Sequence, residues 1–191
     1  MSYEIAKASD SISGGLIAGT KNTEVAKATG RFRMECYDKD GILKWTAESQ
    51  NLVVNVGLQY MAGTALTSTT QITTWYIGLY GAGASNTPAA GDTMASHAGW
   101  TEVTPYAGNR PTATFAAATN ANPSVVTNTA SPASFSINAT QTVGGAFLTS
   151  NNTAGGSTGT LFSAADFQSP GDRNVVSGDT LNVTYQFSLA G

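Results

Sequence analysis

The last apolar segment of the chain constrains the fold more than any other part of the sequence. Apolar and polar residues alternate without a break over residues 181–189, which is typical of a β-strand with one buried face. Burial of one such side chain contributes about 1.5–3 kcal/mol. We therefore expect the apolar positions to lie together in the core: Leu181, Val183, Tyr185, Phe187 and Leu189.

A second alternating segment near residue 30 predicts a hairpin. Phe32, Met34 and Cys36 share one face of residues 31–37, so Cys36 is expected to be a buried thiol. Residues 38–41 form a turn in which Gly41 supplies a positive φ. Residues 42–47 then return as the second strand, which residues 51–55 extend.

Other segments predict more strands and two short helices. Residues 56–61 indicate one helix, and Asp92 is suited to cap a helical turn that runs through His97. Gly144 and Gly145 indicate a bulge or a close backbone contact within a strand. Further strands are predicted at residues 73–80, 100–103, 112–115, 125–127, 134–140, 143–149 and 160–163.

The polar residues of the chain also favour β-structure. Thr, Ser and Asn take the place of the Lys and Glu that usually cover exposed helices. Many strands joined by polar loops predict an all-β protein, an antiparallel β-sandwich or jelly-roll-like fold with one or two short helices.

Residues 1–28 are predicted to be an extended N-terminal arm, and residues 29–191 to be the β-sandwich domain. The arm contains several glycines and too few apolar residues for a core of its own. Ordering each residue costs about 1–2 kcal/mol, so we expect the arm to become ordered against a partner, the alternative being a frayed terminus. Its expected partner-binding residues are Tyr3, Ile5, Ile12, Leu16, Ile17 and Val25.

Charge and composition argue against several classes of function. Fourteen of the 21 charged residues lie in the first 50 positions, and the net charge is −3 without a basic run. This pattern does not favour nucleic-acid binding. The sequence predicts neither a secretory signal nor a membrane span, and one cysteine allows no internal disulfide or cysteine zinc site.

The sequence contains few residues in catalytic or metal-binding patterns, so we expect no enzyme activity and no cofactor. His97 follows Ser96, but a histidine that packs in a loop is favoured over a hydrolase triad. A turn is likewise favoured over a calcium loop at residues 38–41. A shared ion at Asp166, Asp172 and Asp179 is the other alternative considered.

The three tryptophans leave two interpretations open. Trp45, Trp75 and Trp100 are interpreted first as sheet core. The other interpretation is an exposed interface or a platform on which a sugar ring stacks.

Several segments together resemble a family of small virion proteins of tailed bacteriophages. The resemblance covers roughly residues 30–189, and its middle and last segments are the most specific. The segments are GRFRMEC (30–36), DKDG (38–41), NLV (51–53), WYIGL (75–79), AGDTMASHAGWTE (90–102), NRP (109–111), GAFL (145–148) and GDTLNVTY (178–185).

The resemblance implies a structural role in a virion that is assembled in the host cytoplasm, and it supplies no catalytic residues. It leaves open whether the protein belongs to the head or the tail. We expect a capsid decoration, or cement, protein whose arm binds the major capsid protein or another virion protein. Self-association into dimers or trimers is expected, and the alternative is a tail or fibre module that binds host surface glycan.

Overall fold

The computed structural model describes residues 26–82, 87–167 and 171–191, which form two antiparallel β-sheets and one α-helix, α1 (Asn55–Leu66). This architecture confirms the predicted all-β, sandwich-like fold with a short helix. The strands are β1 (Lys27–Tyr37), β2 (Leu43–Gln50), β3 (Leu52–Val53), β4 (Trp75–Gly81), β5 (Glu102–Val103), β6 (Thr112–Ala113), β7 (Ser124–Thr127), β8 (Ala133–Ser136), β9 (Gln141–Thr149), β10 (Leu161–Asp166), β11 (Arg173–Val175) and β12 (Thr180–Ala190).

Each sheet is built around long central strands. The first sheet has the order β2-β1-β12, and β7 and β8 both pair with the other edge of β12. The second sheet has the order β3-β10-β9-β4, with β5 and β6 both on the outer edge of β4. The strand β11, which no alternation in the sequence predicts, pairs with β9.

The main core lies between the two sheets. Phe32, Met34 and Cys36 of β1 are fully buried, as the alternation predicts, and Arg31 and Arg33 lie on the exposed face. The second sheet contributes Ile77 and other apolar side chains to the same cluster. Two amphipathic sheets therefore bury their apolar faces against each other, which is the defining packing of a β-sandwich.

Burial along β12 falls off towards its end, which corrects the expectation that all five apolar residues are core. Leu181, Val183 and Tyr185 are buried, but Phe187 is half-buried and Leu189 is 44 % exposed. The cross-strand neighbours of Leu189 are Ala28 and Ser124, which are too small to cover it.

The prediction that residues 51–55 extend the second strand is wrong, because the chain changes sheets there. Asn51 donates its backbone N–H to Gly30 and its side-chain amide to the Tyr185 hydroxyl. The next two residues form β3, which pairs with β10 in the second sheet. The predicted helix follows as α1, and it extends five residues beyond the predicted end at residue 61.

The outer face of the second sheet carries a second apolar cluster under the loop of residues 87–101. Trp100 packs there on Tyr80 and Phe147, with ring centroids 5.3 Å and 5.0 Å apart. Asp92 does not cap a helix, because its carboxylate accepts hydrogen bonds from Trp100 Nε1 and the Ala89 amide. Residues 93–96 form a turn instead of the predicted helical turn.

The paired glycines of β9 are needed for close approach, as the sequence predicts. A Cβ atom on Gly145 would collide with the Ala165 carbonyl oxygen and with the phenol of Tyr80. A Cβ atom on Gly144 would collide with the carbonyl group of Gly81. The tip of the Tyr80 ring can therefore lie directly over β9.

The difference in burial between Phe187 of β12 and Phe135 of β8 predicts a difference in mutational cost. Phe187 packs edge-on against Phe162, with centroids 5.5 Å apart, but it keeps part of its surface in solvent. We expect Phe187→Ala to lower the free energy of unfolding by about 2 kcal/mol, and Phe135→Ala, at a fully buried position, by about 3–5 kcal/mol. Denaturant unfolding of both variants measures the difference, and equal costs would contradict this account of the core.

Candidate interaction surface

The predicted partner-binding residues lie outside the described residues. These are Tyr3, Ile5, Ile12, Leu16, Ile17 and Val25. The first described strand begins at Lys27, which pairs with Ala190. The predicted boundary between residues 28 and 29 therefore falls inside β1, and the sheet includes the last two residues of the predicted arm.

The exposed face of the first sheet forms a shallow groove, which we call the polar face. Its side chains come from the central strands and from the loop between β7 and β8. The alternation that buries one side of β1 and β12 places their polar residues on this side. The groove is lined by Arg31, Arg33, Glu35, Glu48, Thr129, Pro132, Asn182, Thr184 and Gln186.

Charges on the polar face are paired with one another. Arg31 contacts Glu48 across the strands at 3.0 Å, and it also donates to the Gln186 side chain. Arg33 contacts Glu35 at 2.6 Å on its own strand. Because these pairs are solvent-exposed, each is worth about 0–1 kcal/mol and can be exchanged for contacts with a partner at little cost.

The only histidine is used for packing within its loop, as the sequence analysis favoured. Its ring stacks on Trp100 with centroids 3.8 Å apart, and its Nδ1 lies 2.8 Å from the Trp100 carbonyl oxygen. The two acids nearest in the chain are used elsewhere, because Asp92 accepts a hydrogen bond from the Trp100 indole and Glu102 is bound to Arg110. The described contacts of His97 are therefore those of a packed loop residue and not those of a triad base.

The tryptophans differ in burial, so neither interpretation holds for all three. Trp100 is 3 % exposed and belongs to the outer core cluster. Trp45 and Trp75 are half-buried at the rim of the main core. Trp75 contacts Tyr60 edge-on in a groove beside α1 that Gln71 also lines.

A buried ion pair joins β5, the loop between β5 and β6, and the loop between β9 and β10 at the edge of the second sheet. Arg110 is 1 % exposed and makes a bidentate contact with Glu102 at 2.7–2.8 Å. Its remaining N–H groups donate to the carbonyl oxygens of Asn151 and Gly156. Sequence reasoning assigned no role to this pair, although one signal was available. Arg110 is the single basic residue between Lys44 and Arg173.

The three aspartates considered as an ion site do not come together. Asp179 is buried and binds Lys44 at 2.5 Å and the Val176 amide. Burial alone would raise the pKa of Asp179, but these two donors outweigh it and hold the pKa below its usual range. Within the described part of the chain, no three His, Cys, Asp or Glu side chains are grouped to hold a metal.

Two smaller predictions are confirmed. Burial, with the nearby Asp179 carboxylate, raises the pKa of the Cys36 thiol to about 12, so this core thiol stays protonated. The segment of residues 38–41 is a turn, in which Asp38 accepts the backbone N–H groups of Asp40 and Ile42, and Gly41 has φ of 78°.

Comparison with family models, curated proteins and solved structures finds no match for this chain. Among the described residues, no helix has the length and apolar character needed to cross a membrane.

The buried pair predicts a large mutational effect. Arg110→Ala leaves Glu102 charged and buried, so we expect the free energy of unfolding to fall by about 3–5 kcal/mol. Arg31→Ala, which removes an exposed pair, should cost less than about 1 kcal/mol. Urea unfolding at neutral pH compares the two variants, and similar losses would show that Arg110 is not a structural anchor.

Proposed function

We propose that this chain is a non-enzymatic virion structural protein of a tailed bacteriophage, a decoration protein that binds the major capsid protein through its N-terminal arm. The observation that carries the proposal is that the described domain uses its reactive side chains internally. His97 stacks on Trp100, Cys36 is buried, and Arg110 is bound to Glu102. Such a domain is suited to bind other proteins and to stabilise the particle to which it binds.

The place where the arm joins the domain supports this role. Strand β1 begins at Lys27 and is hydrogen-bonded to β12 on one side and to β2 on the other. A load on the arm would act along a central strand, so many backbone hydrogen bonds would resist it together. If extended, the 26 residues before β1 would span up to about 90 Å, which is enough to reach a neighbouring capsid subunit.

The exposed surfaces of the domain support contacts with other virion proteins. The polar face offers hydrogen-bonding groups and easily exchanged ion pairs, which suit a polar interface. Ile42 and Leu43 are 65 % and 49 % exposed at the turn after β1. They provide apolar area for the self-association into dimers or trimers that belongs to this proposal.

A tail or fibre module that binds host surface glycan is the second candidate. The groove beside α1 favours it, because half-buried Trp75 and Tyr60 lie there next to Gln71. An aromatic ring beside an amide is a common arrangement for binding sugars. The burial of Trp100 counts against a larger aromatic platform.

Removal of residues 1–25 tests the arm while leaving β1 intact. We expect the truncated chain to lose at least about hundredfold in affinity for empty capsids of its phage, because six apolar side chains lose their contacts. Sedimentation of capsids with the bound chain measures the loss. An unchanged thermal midpoint would show that the domain remains folded.

A matched pair of full-length variants sharpens the test. One replaces the six apolar arm residues by serine, and the other replaces Lys7, Asp10 and Asn22 by serine. The first should bind capsids as weakly as the truncated chain, and the second should bind nearly as well as the natural chain. Undiminished capsid binding by the truncated chain would refute the role of the arm.

Glycan binding makes a separate prediction for the isolated domain. If the second candidate is correct, residues 26–191 bind host cells, and Trp75→Ala abolishes this binding whereas Trp45→Ala leaves it intact. Flow cytometry measures the binding of the labelled domain and its variants to host cells. Under the decoration proposal, we expect no host-cell binding by any of these proteins.

A further inference from the structure

Two carboxylates without a described cationic partner lie at the same end of the second sheet. Asp166 ends β10, and Asp172 lies just before β11. Among the described residues, no lysine or arginine forms an ion pair with either carboxylate, Arg173 included. The Asp166 carboxylate accepts one hydrogen bond, from the Phe167 amide.

A buried hydroxyl without a partner lies at the same end. Tyr80 is 0 % exposed, and its hydroxyl makes no hydrogen bond. A buried polar group without a partner is uncommon in a folded protein and calls for an explanation such as a bound water or ion. The hydroxyl is therefore an observation independent of the two carboxylates.

The register of the sheet directs this hydroxyl towards the carboxylates. Tyr80 pairs with Gly145, and Gly145 pairs with Asp166 on its other side, so the three residues share one face. Because Gly145 has no side chain, the Tyr80 phenol extends across β9 towards β10. Asp172 Oδ1 lies 3.1 Å from the position that a Cβ atom on Gly144 would occupy.

The candidate ligand atoms at this end of the sheet are all oxygen atoms. Two carboxylates and a hydroxyl suit a hard cation such as Ca²⁺, which prefers oxygen ligands and accepts water for the rest of its coordination shell. A divalent cation would also neutralise the repulsion between the two carboxylates. Apart from the hydrogen bond from the Phe167 amide to Asp166, neither the hydroxyl nor the carboxylates have another described use in the fold.

We propose that Asp166, Asp172 and Tyr80 form a calcium-binding site at the end of the second sheet where β4 and β10 finish. The carboxylates of Asp166 and Asp172 bind the ion, and the Tyr80 hydroxyl supplies a third oxygen or holds a coordinated water. The site is independent of the arm and of capsid binding. Its role is to hold the end of β10 beside the start of β11.

Calcium titration of the full chain by calorimetry tests the site. With two charged ligands, the dissociation constant is expected in the range of about 10⁻⁴–10⁻³ M. Asp166→Asn and Asp172→Asn should each weaken binding at least about tenfold. The matched control is Asp40→Asn, which removes an exposed carboxylate paired with Lys39 and should leave the affinity unchanged.

Terbium luminescence and thermal melting give two further measurements. Trp100 lies 5.3 Å from the Tyr80 ring, so excitation of this tryptophan should sensitise Tb³⁺ bound at the site. Saturating Ca²⁺ should raise the thermal midpoint of the natural chain by about 3 °C. Without calcium, Asp166→Asn should melt above the natural chain, because it removes one of two repelling charges, and the same calcium concentration should raise its thermal midpoint less than that of the natural chain.

Three results would overturn the proposal. One is the absence of both binding heat and sensitised luminescence at an ion concentration of about 10⁻² M, which is tenfold above the upper end of the expected dissociation constant. Another is equal affinity of Asp166→Asn and Asp40→Asn for Ca²⁺. The third is an unchanged affinity in Tyr80→Phe together with a calcium-dependent melt in Asp172→Asn. Cooperative melting of each variant confirms that it is folded before its affinity is compared.

Discussion

The pairing of β1 with β12 is the interaction on which the rest of the structure depends. Eleven residue pairs join Lys27–Tyr37 to Thr180–Ala190, so the two ends of the domain form its central ribbon. One face of this ribbon supplies the main core, and the other supplies the polar face. The pairing closes a loop of about 140 residues, and this closure lowers the conformational entropy of the chain. The packing of the second sheet against the ribbon offsets that loss.

Buried polar contacts then attach the long loops to this frame. Arg110 and Glu102 hold β5 to the loop between β9 and β10 at the edge of the second sheet, and Asp179 with Lys44 joins the start of β2 to the start of β12. Outside the first 50 residues the chain has few charges, and most of those described here are paired or buried. A surface of Thr, Ser and Asn with little net charge suits a protein proposed to pack closely against others in a particle.

Local patterns predicted much of the fold, because alternation reports directly which side of a strand is buried. The faces of β1, the turn at residues 38–41 and the close approach at Gly144 and Gly145 all follow from such patterns. The patterns failed where residues distant in the chain determine the burial or the hydrogen-bond partner of a side chain. Leu189 is exposed because its cross-strand partners are small, and Asp92 is bound to Trp100 in a loop that no periodicity describes.

By itself, the sequence determined the class of fold, most of the strands and the buried face of those that alternate, since period-two alternation is a local property of the chain. The tertiary structure alone decided which strands are neighbours, where the chain changes sheets, and which polar groups meet. It brought Arg110 together with Glu102, and it placed Tyr80 and Asp166 on either side of Gly145 on one face of the second sheet. Such contacts arise from packing between distant segments, and no spacing along one segment encodes them.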